Sequence, residues 1–393
     1  MNYSMIRYIL SSVICFVGIF LLLPAATAGI YQEKEGFLYL IIGLACMLIG
    51  FWGRRRKPKS SVFYSKEGFA AVALSWIILS LIGALPMYLT GEFPSYIDAL
   101  FETISGFTTT GSSILSDVET LSRGTAFWRC FTHWIGGMGV LVFIMAVMPL
   151  SDSSSMHLMR AESPGPSVGK LVPKIKTTAM ILYGIYVVFT VIEIIALLIA
   201  GMPLFDSMTL TFGTVGTGGF GLLNSSIASY STAVQIIITV FMIICSINFT
   251  VYYMFLIKRP KEALMCEEMR YYLLIVFGSA LLIAFNIRAS FASFGKAFQQ
   301  AIFQVASVIS TTGFATADFN LWPEFSRMIL VLLMFVGACA GSTGGGMKVS
   351  RFIIWAKTFF KELKVMIHPR NIYKISMDGR KVEHETVRSV NVY

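Results

Sequence analysis

Three short runs concentrate threonine and glycine: Phe107-Thr108-Thr109-Thr110-Gly111-Ser112-Ser113, Thr214-Val215-Gly216-Thr217-Gly218-Gly219-Phe220 and Ser310-Thr311-Thr312-Gly313-Phe314-Ala315. Such residues suit the coordination of a bare cation. A dehydrated potassium ion needs oxygens in place of its water shell, and backbone carbonyls on an extended strand supply them. Glycine admits the positive φ values that aim successive carbonyls at one axis. Threonine adds a hydroxyl and stiffens the flanking strand. A single run of this kind would read as a surface turn. Aligning Gly111, Gly219 and Gly313 gives periods of 108 and 94 residues, so the runs belong to an internal repeat.

The elements that must position these runs lie in a membrane. The chain of 393 residues is 56% hydrophobic and 13% charged, with mean hydropathy +0.73, which excludes a water-soluble globule. Eight spans of roughly 20 apolar residues are expected, near Ile6 to Ala28, Gly36 to Gly53, Phe69 to Leu89, Ala126 to Leu150, Thr177 to Ala200, Thr232 to Ile257, Tyr271 to Ile287 and Phe325 to Phe360. The first is too long an apolar stretch for a signal peptide and is kept as a span. The last is too long for one straight helix and contains Gly341, Ser342, Thr343, Gly344, Gly345 and Gly346, which a continuous helix tolerates poorly. Close packing through Gly337 to Gly341 is the competing reading of that glycine run. Ahead of each Thr/Gly run a half-helix is expected, about Ser95 to Ser105, Leu204 to Phe212 and Phe294 to Ile309. Its carbonyl end would place partial negative charge near an ion. Irregular backbone at membrane depth is tolerated where protein or water satisfies it, as in such a loop.

The formal charge of +10 does not indicate nucleic acid, because the basic residues fall in alternate connections. Arg7, the stretches Arg54 to Lys66, Arg160 to Lys176 and Lys258 to Arg270, and everything from Lys348 onward hold 25 of the 31 lysines and arginines. Those connections are therefore expected in the cytoplasm, with both termini inside. The remaining connections carry Lys34, Arg123, Arg129, Arg288, Lys296 and Arg327 against ten acids, a mildly acidic outer face. The six cysteines, Cys15, Cys46, Cys130, Cys245, Cys266 and Cys339, lack metal-type spacing and read as packing residues. No nucleophile with a base, paired carboxylates or metal cluster lies within the spans, so the chain is read as not an enzyme and needing no cofactor beyond a transported ion. Glu193 and Asn248, polar residues inside apolar spans, are candidates for a pore or for packing, His133 could be a proton site, and Glu102 could add negative potential behind a filter or bond neighbouring backbone. Interfacial snorkelling is the alternative for Glu193, and a hydrogen-bonded interhelical role is the alternative for His133.

Three repeats of span, half-helix, loop and span resemble the Trk/Ktr/HKT superfamily of potassium transporters. Trp134-Ile135-Gly136-Gly137-Met138-Gly139 and Cys339-Ala340-Gly341-Ser342-Thr343-Gly344-Gly345-Gly346-Met347-Lys348 strengthen the resemblance. His368-Pro369-Arg370 and the extra pair of N-terminal spans match the TrkH branch. The resemblance implies an all-α polytopic membrane protein with an N-terminal hairpin (1–68), pore repeats at 69–150, 177–258 and 270–361, and a cytoplasmic connection at 362–393. The repeats would surround a pseudo-fourfold pore. It further implies a potassium filter, with sodium as the alternative ion, lined by Thr109, Thr110, Gly111, Thr217, Gly218, Gly219, Thr311, Thr312 and Gly313. An intramembrane gating loop would run from Gly341 to Gly346, with Lys348 and Arg351 as possible gate charges or plain cytoplasmic anchors. Gly218 departs from Thr-Thr-Gly and implies a more flexible strand. Implied partners are membrane lipid, a second copy in a homodimer and a cytoplasmic nucleotide-binding ring protein like TrkA, in a bacterial inner membrane. The family has four repeats and this sequence ends after three, so a truncated fragment that does not conduct is one alternative. A sodium or potassium secondary transporter is the other, although it predicts inverted repeats.

Overall fold

The structure is a computed structural model and describes residues 2–56, 58, 64–139, 175–368, 370, 371 and 373–392. It is mostly helical, and the described residues form two compact units. One holds the residues up to 238 together with 312–314; the other holds 239–311 and the residues from 315 onward.

The first unit begins with a hairpin of α1 (Tyr3–Ile30) and α2 (Gly36–Arg55). Small residues let the two helices approach closely: a side chain at Gly18 would meet the Gly43 carbonyl at 2.6 Å, and one at Gly50 would meet Cys15. Cys15 is thus a packing residue, as expected. Next come α3 (Ser65–Leu89), α4 (Tyr96–Phe107), α5 (Arg123–Gly137), α6 (Ile175–Ile199) and α7 (Leu204–Val215), followed by α8 (Thr232–Cys245), which runs across the boundary at residue 238. Glu33, just after α1, accepts hydrogen bonds from the Arg123 and Gly124 amides (2.7 and 2.9 Å) and so caps α5 from the hairpin.

The second unit continues with α9 (Phe249–Leu256), α10 (Pro260–Leu264), α11 (Glu267–Ile287), α12 (Phe294–Ile309), α13 (Glu324–Val336) and α14 (Val349–Ile367). A two-stranded antiparallel hairpin, β1 (Ser376–Met377) and β2 (Arg380–Lys381), and α15 (His384–Val392) complete it. The hairpin departs from the all-α expectation. Asp378 and Gly379 both take positive φ (51° and 72°), the geometry of a two-residue hairpin turn. Asp378 also accepts from the Glu267 amide at 2.7 Å, tying the hairpin to the start of α11.

Among the described residues five helices are long and apolar enough to cross a membrane, or six if the pair α8 and α9 forms one span. The span expected from Thr232 to Ile257 is bent: α8 and α9 meet at 88°, with Ser246, Ile247 and Asn248 between them. The span expected over Ala126 to Leu150 begins as α5, and its residues from 140 lie outside the described set. The stretch from Phe325 to Phe360 breaks between α13 and α14, as its glycines predict.

Candidate cation filter and gating loop

Three half-helices deliver the Thr/Gly runs: α4, α7 and α12, with 12, 12 and 16 residues. Their starts are set locally. Ser95 accepts from the Asp98 amide, Ser293 from the Lys296 amide, and Pro203 precedes α7. All three expected half-helices are present, the first two ending two or three residues later than expected.

The backbone beyond each half-helix repeats. Thr109, Thr217 and Thr311 have φ of 53°, 53° and 61°, and two residues on Gly111, Gly219 and Gly313 have 75°, 82° and 90°. Left-handed threonine is costly for a β-branched residue, about 1–3 kcal/mol, and persists where surrounding structure over-determines it. The hydrogen bonds that do so recur as well. The amides of Thr108 and Thr109 donate to Ile104 and Gly106; those of Gly216 and Thr217 to Phe212 and Thr214; those of Ser310 and Thr311 to Ala306 and Val308. In the first run Thr110 and Gly111 then both reach back to the Ser105 carbonyl, and in the second Gly218 and Gly219 reach back to Gly213. Across a planar trans peptide the N–H and C=O point opposite ways. The carbonyls of Thr109, Thr110, Thr217 and Gly218 are therefore turned away from the half-helices.

The runs also face one another in order. A side chain built on Gly111 would strike the Gly218 carbonyl oxygen, and one on Gly219 would strike that of Thr312. Glycine is thus required twice over at those positions, by φ and by the neighbouring carbonyl. At Gly313 a side chain would meet nothing within 4 Å, so φ alone makes the demand there.

The structure explains the Trp134–Gly139 motif. In α5, Gly136 lies under the Phe107 carbonyl and Thr109, and Gly137 lies against Gly216, so two successive glycines let both runs seat on one helix. Packing accounts for the glycine at position 218. A Cβ there would clash with the His133 ring at Cγ and Nδ1, so the ring fills the space. His133 is fully buried, stacks on Phe220 at 4.1 Å between centroids, and accepts the Phe220 amide on Nδ1 at 3.4 Å. It is a packing residue holding the second run.

Glu102 and Arg129, 0% and 4% exposed, form an ion pair at 2.5 Å. Arg129, expected in an outer connection, lies inside α5. Glu102 accepts from Ser113 Oγ (2.8 Å) and the Ile114 amide (3.0 Å), beyond the first run, and Arg129 donates to the Gly221 carbonyl (3.0 Å), beyond the second. The guanidinium also lies 3.6 Å from the Phe220 ring centroid. A second tie joins the same loops at the surface. Asn224 donates to Asp117 (2.8 Å) and accepts from the Val118 amide (3.0 Å), and the Asn224 amide holds Asp117 below the usual carboxylate range. Glu193 is fully buried, which rules out snorkelling; its carboxyl lies within reach of Thr214 without a well-formed hydrogen bond.

In the second unit, residues 337–348 form an irregular loop rather than a packed helix, so the helix-packing reading of Gly337 to Gly341 does not hold. Gly337 (φ 71°) ends α13, and the Ala338 amide donates to the Gly345 carbonyl at 3.2 Å, folding the loop on itself. The break between α8 and α9 pairs with it: Cys339 N–H donates to Ser246, Thr343 N–H to Cys245, and the Gly341 carbonyl accepts from Phe249. Asn248 caps α9 through the Thr250 amide (2.9 Å), a helix-end role that its position in an apolar stretch did not reveal. The loop also meets the third run, where Gly345 N–H donates to Thr311 Oγ1 at 2.7 Å. Lys348 is buried and its Nζ donates to the Gly344 carbonyl, whereas Arg351 donates to Met347 at 3.2 Å. Sequence reading missed Glu268. It is one of two acids in the first turn of α11, where negative charge is ordinary.

Residues 39–391 match the family model named TrkH and described as a cation transport protein. The chain is 34% identical over 407 residues to the Trk system potassium uptake protein TrkH of Vibrio parahaemolyticus, covering 99% of this chain and 82% of that one. It is 35% identical over 390 residues to TrkH of Escherichia coli K12, covering 96% and 80%. The crystal structure of the potassium transporter TrkH from Vibrio parahaemolyticus superposes with a TM-score of 0.88 at 30% identity, covering 100% of this chain and 82% of that chain.

Proposed function

Because the chain belongs to the TrkH family of cation transport proteins, we propose that it moves potassium across a bacterial inner membrane through its three Thr/Gly runs. The observation that carries this reading is the recurrence of one backbone three times: left-handed threonine, then left-handed glycine, with Gly111 and Gly219 each set against a carbonyl of the following run. Carbonyls so arranged replace water around an ion of potassium size, and the carbonyl ends of the half-helices add partial negative charge. In this reading Thr109, Thr110, Gly111, Thr217, Gly218, Gly219, Thr311, Thr312 and Gly313 line the filter. The repeats at 69–150, 177–258 and 270–361 stand around a pseudo-fourfold axis behind the 1–68 hairpin, and 362–393 faces the cytoplasm, as do both termini. Residues 341–346 are the barrier on the ion path, held by Lys348. The functional assembly is a homodimer with a cytoplasmic nucleotide-binding ring protein like TrkA.

The test is growth and rubidium uptake at low external potassium in cells stripped of their own potassium importers. Expression of this chain with its ring protein is expected to restore both. Correctly inserted protein that restores neither contradicts the proposal.

A further inference from the structure

Glu268 is 3% exposed, and a single one of its oxygens, Oε1, accepts two backbone hydrogen bonds from distant places: the Ala340 amide at 2.7 Å and the Ser350 amide at 3.1 Å. Ala340 lies in the first part of the 337–348 loop and Ser350 in the first turn of α14, so one carboxylate on α11 closes the loop at both ends. We infer that Glu268 is the positioning residue that sets where this loop sits. The inference rests on reading the loop as a barrier on the ion path.

Between those two anchors, further contacts define one resting position, the Gly341 carbonyl accepting from Phe249 and the Thr343 amide donating to Cys245. There Lys348 Nζ donates to the Gly344 carbonyl, and Gly345 N–H donates to Thr311 Oγ1 at 2.7 Å. Thr311 is the left-handed threonine of the third run. Displacing the loop therefore removes a hydrogen bond from a filter residue already in a costly conformation. A competing view assigns the effect of Glu268 to its negative charge near the buried Lys348. The geometry separates the two. An amide oxygen at the Oε1 position accepts both backbone donors without any charge, whereas a thioether accepts neither.

Cys339 reports loop position directly, being fully buried in the resting loop and adjacent to Ala340. The full chain is reconstituted in liposomes with the half-buried Cys15 and Cys266 replaced by serine. The rate at which a small membrane-permeant maleimide labels Cys339 is then followed by peptide mass, with cation flux per folded molecule measured in the same vesicles. Glu268→Met is expected to raise labelling about tenfold, the change that about 1.4 kcal/mol gives, and to raise flux, while Glu268→Gln stays near the parent. Glu268→Asp, one methylene too short to span both amides, is expected between the two and serves if the Met variant does not fold. Labelling unchanged in folded Met and Asp variants overturns the inference. Equal acceleration in Gln and Met overturns the hydrogen-bonded staple in favour of the charge. Faster labelling without added flux supports the staple and instead contradicts the barrier reading on which the functional proposal stands.

Discussion

At position 218 the chain carries glycine where the other two runs carry threonine, and the reason lies in a residue far away in sequence. The imidazole of His133 occupies the space a side chain would need, so the residue is small because its neighbour is large. Gly218→Ala should therefore overpack the site, at about 1–3 kcal/mol, and lower the thermal midpoint of purified protein. Adding His133→Ala to it should recover a large part of the loss. Recovery is the informative outcome; a double variant as unstable as the sum of its parts would mean that the two positions do not share space. Nothing at Gly218 itself signals this. The three glycines at positive φ were legible from the repeat, whereas the contact with His133 joins residues 85 positions apart, which periodicity does not reveal.

At the scale of elements, the half-helices were legible because each begins at a residue suited to a helix start and ends at a Thr/Gly run. The bend between α8 and α9 was not. Ser246 and Asn248 are brief polar interruptions in an apolar stretch, and the backbone groups freed there are satisfied by the 337–348 loop, so hydropathy averages over the break. The brace between α4 and α5 escaped for a related reason: Glu102 and Arg129 look like separate charges until the helices pack. Removing one partner should be severe. Arg129→Met leaves the Glu102 carboxylate buried without its cation and is expected to cost about 3–5 kcal/mol. Glu102→Gln combined with Arg129→Met should be markedly less damaging than Arg129→Met alone. Thermal unfolding of the three proteins in one detergent measures this, and a double variant no better than the single would place the stabilisation elsewhere. Because the brace holds the segments just beyond two runs, the Arg129 variant should also lose ion discrimination at temperatures where it remains folded.

For the whole molecule, membrane class, repeat and family resemblance were readable from hydropathy, charge alternation and three glycine-bearing runs. What had to come from the fold was which groups hold those runs in place: His133, the pair Glu102 and Arg129, and Glu268. These are single polar residues whose partners lie far along the chain. The central claim is that the runs line an ion path, and two glycines of matched local geometry isolate it. Gly313 and Gly201 both have positive φ, 90° and 87°, and at both a side chain would meet nothing within 4 Å. They differ in that Gly313 follows Thr311 and Thr312 in the third run, whereas Gly201 follows α6 outside any run. Serine at either position should bring similar backbone strain. The decisive measurement is potassium uptake in competition with sodium for Gly313→Ser, Gly201→Ser and the parent at equal amounts of folded protein. Gly313→Ser is expected to lower potassium preference by up to about tenfold, equivalent to about 1.4 kcal/mol, while Gly201→Ser leaves it unchanged. Equal preference in all three proteins would contradict the claim that the runs line an ion path.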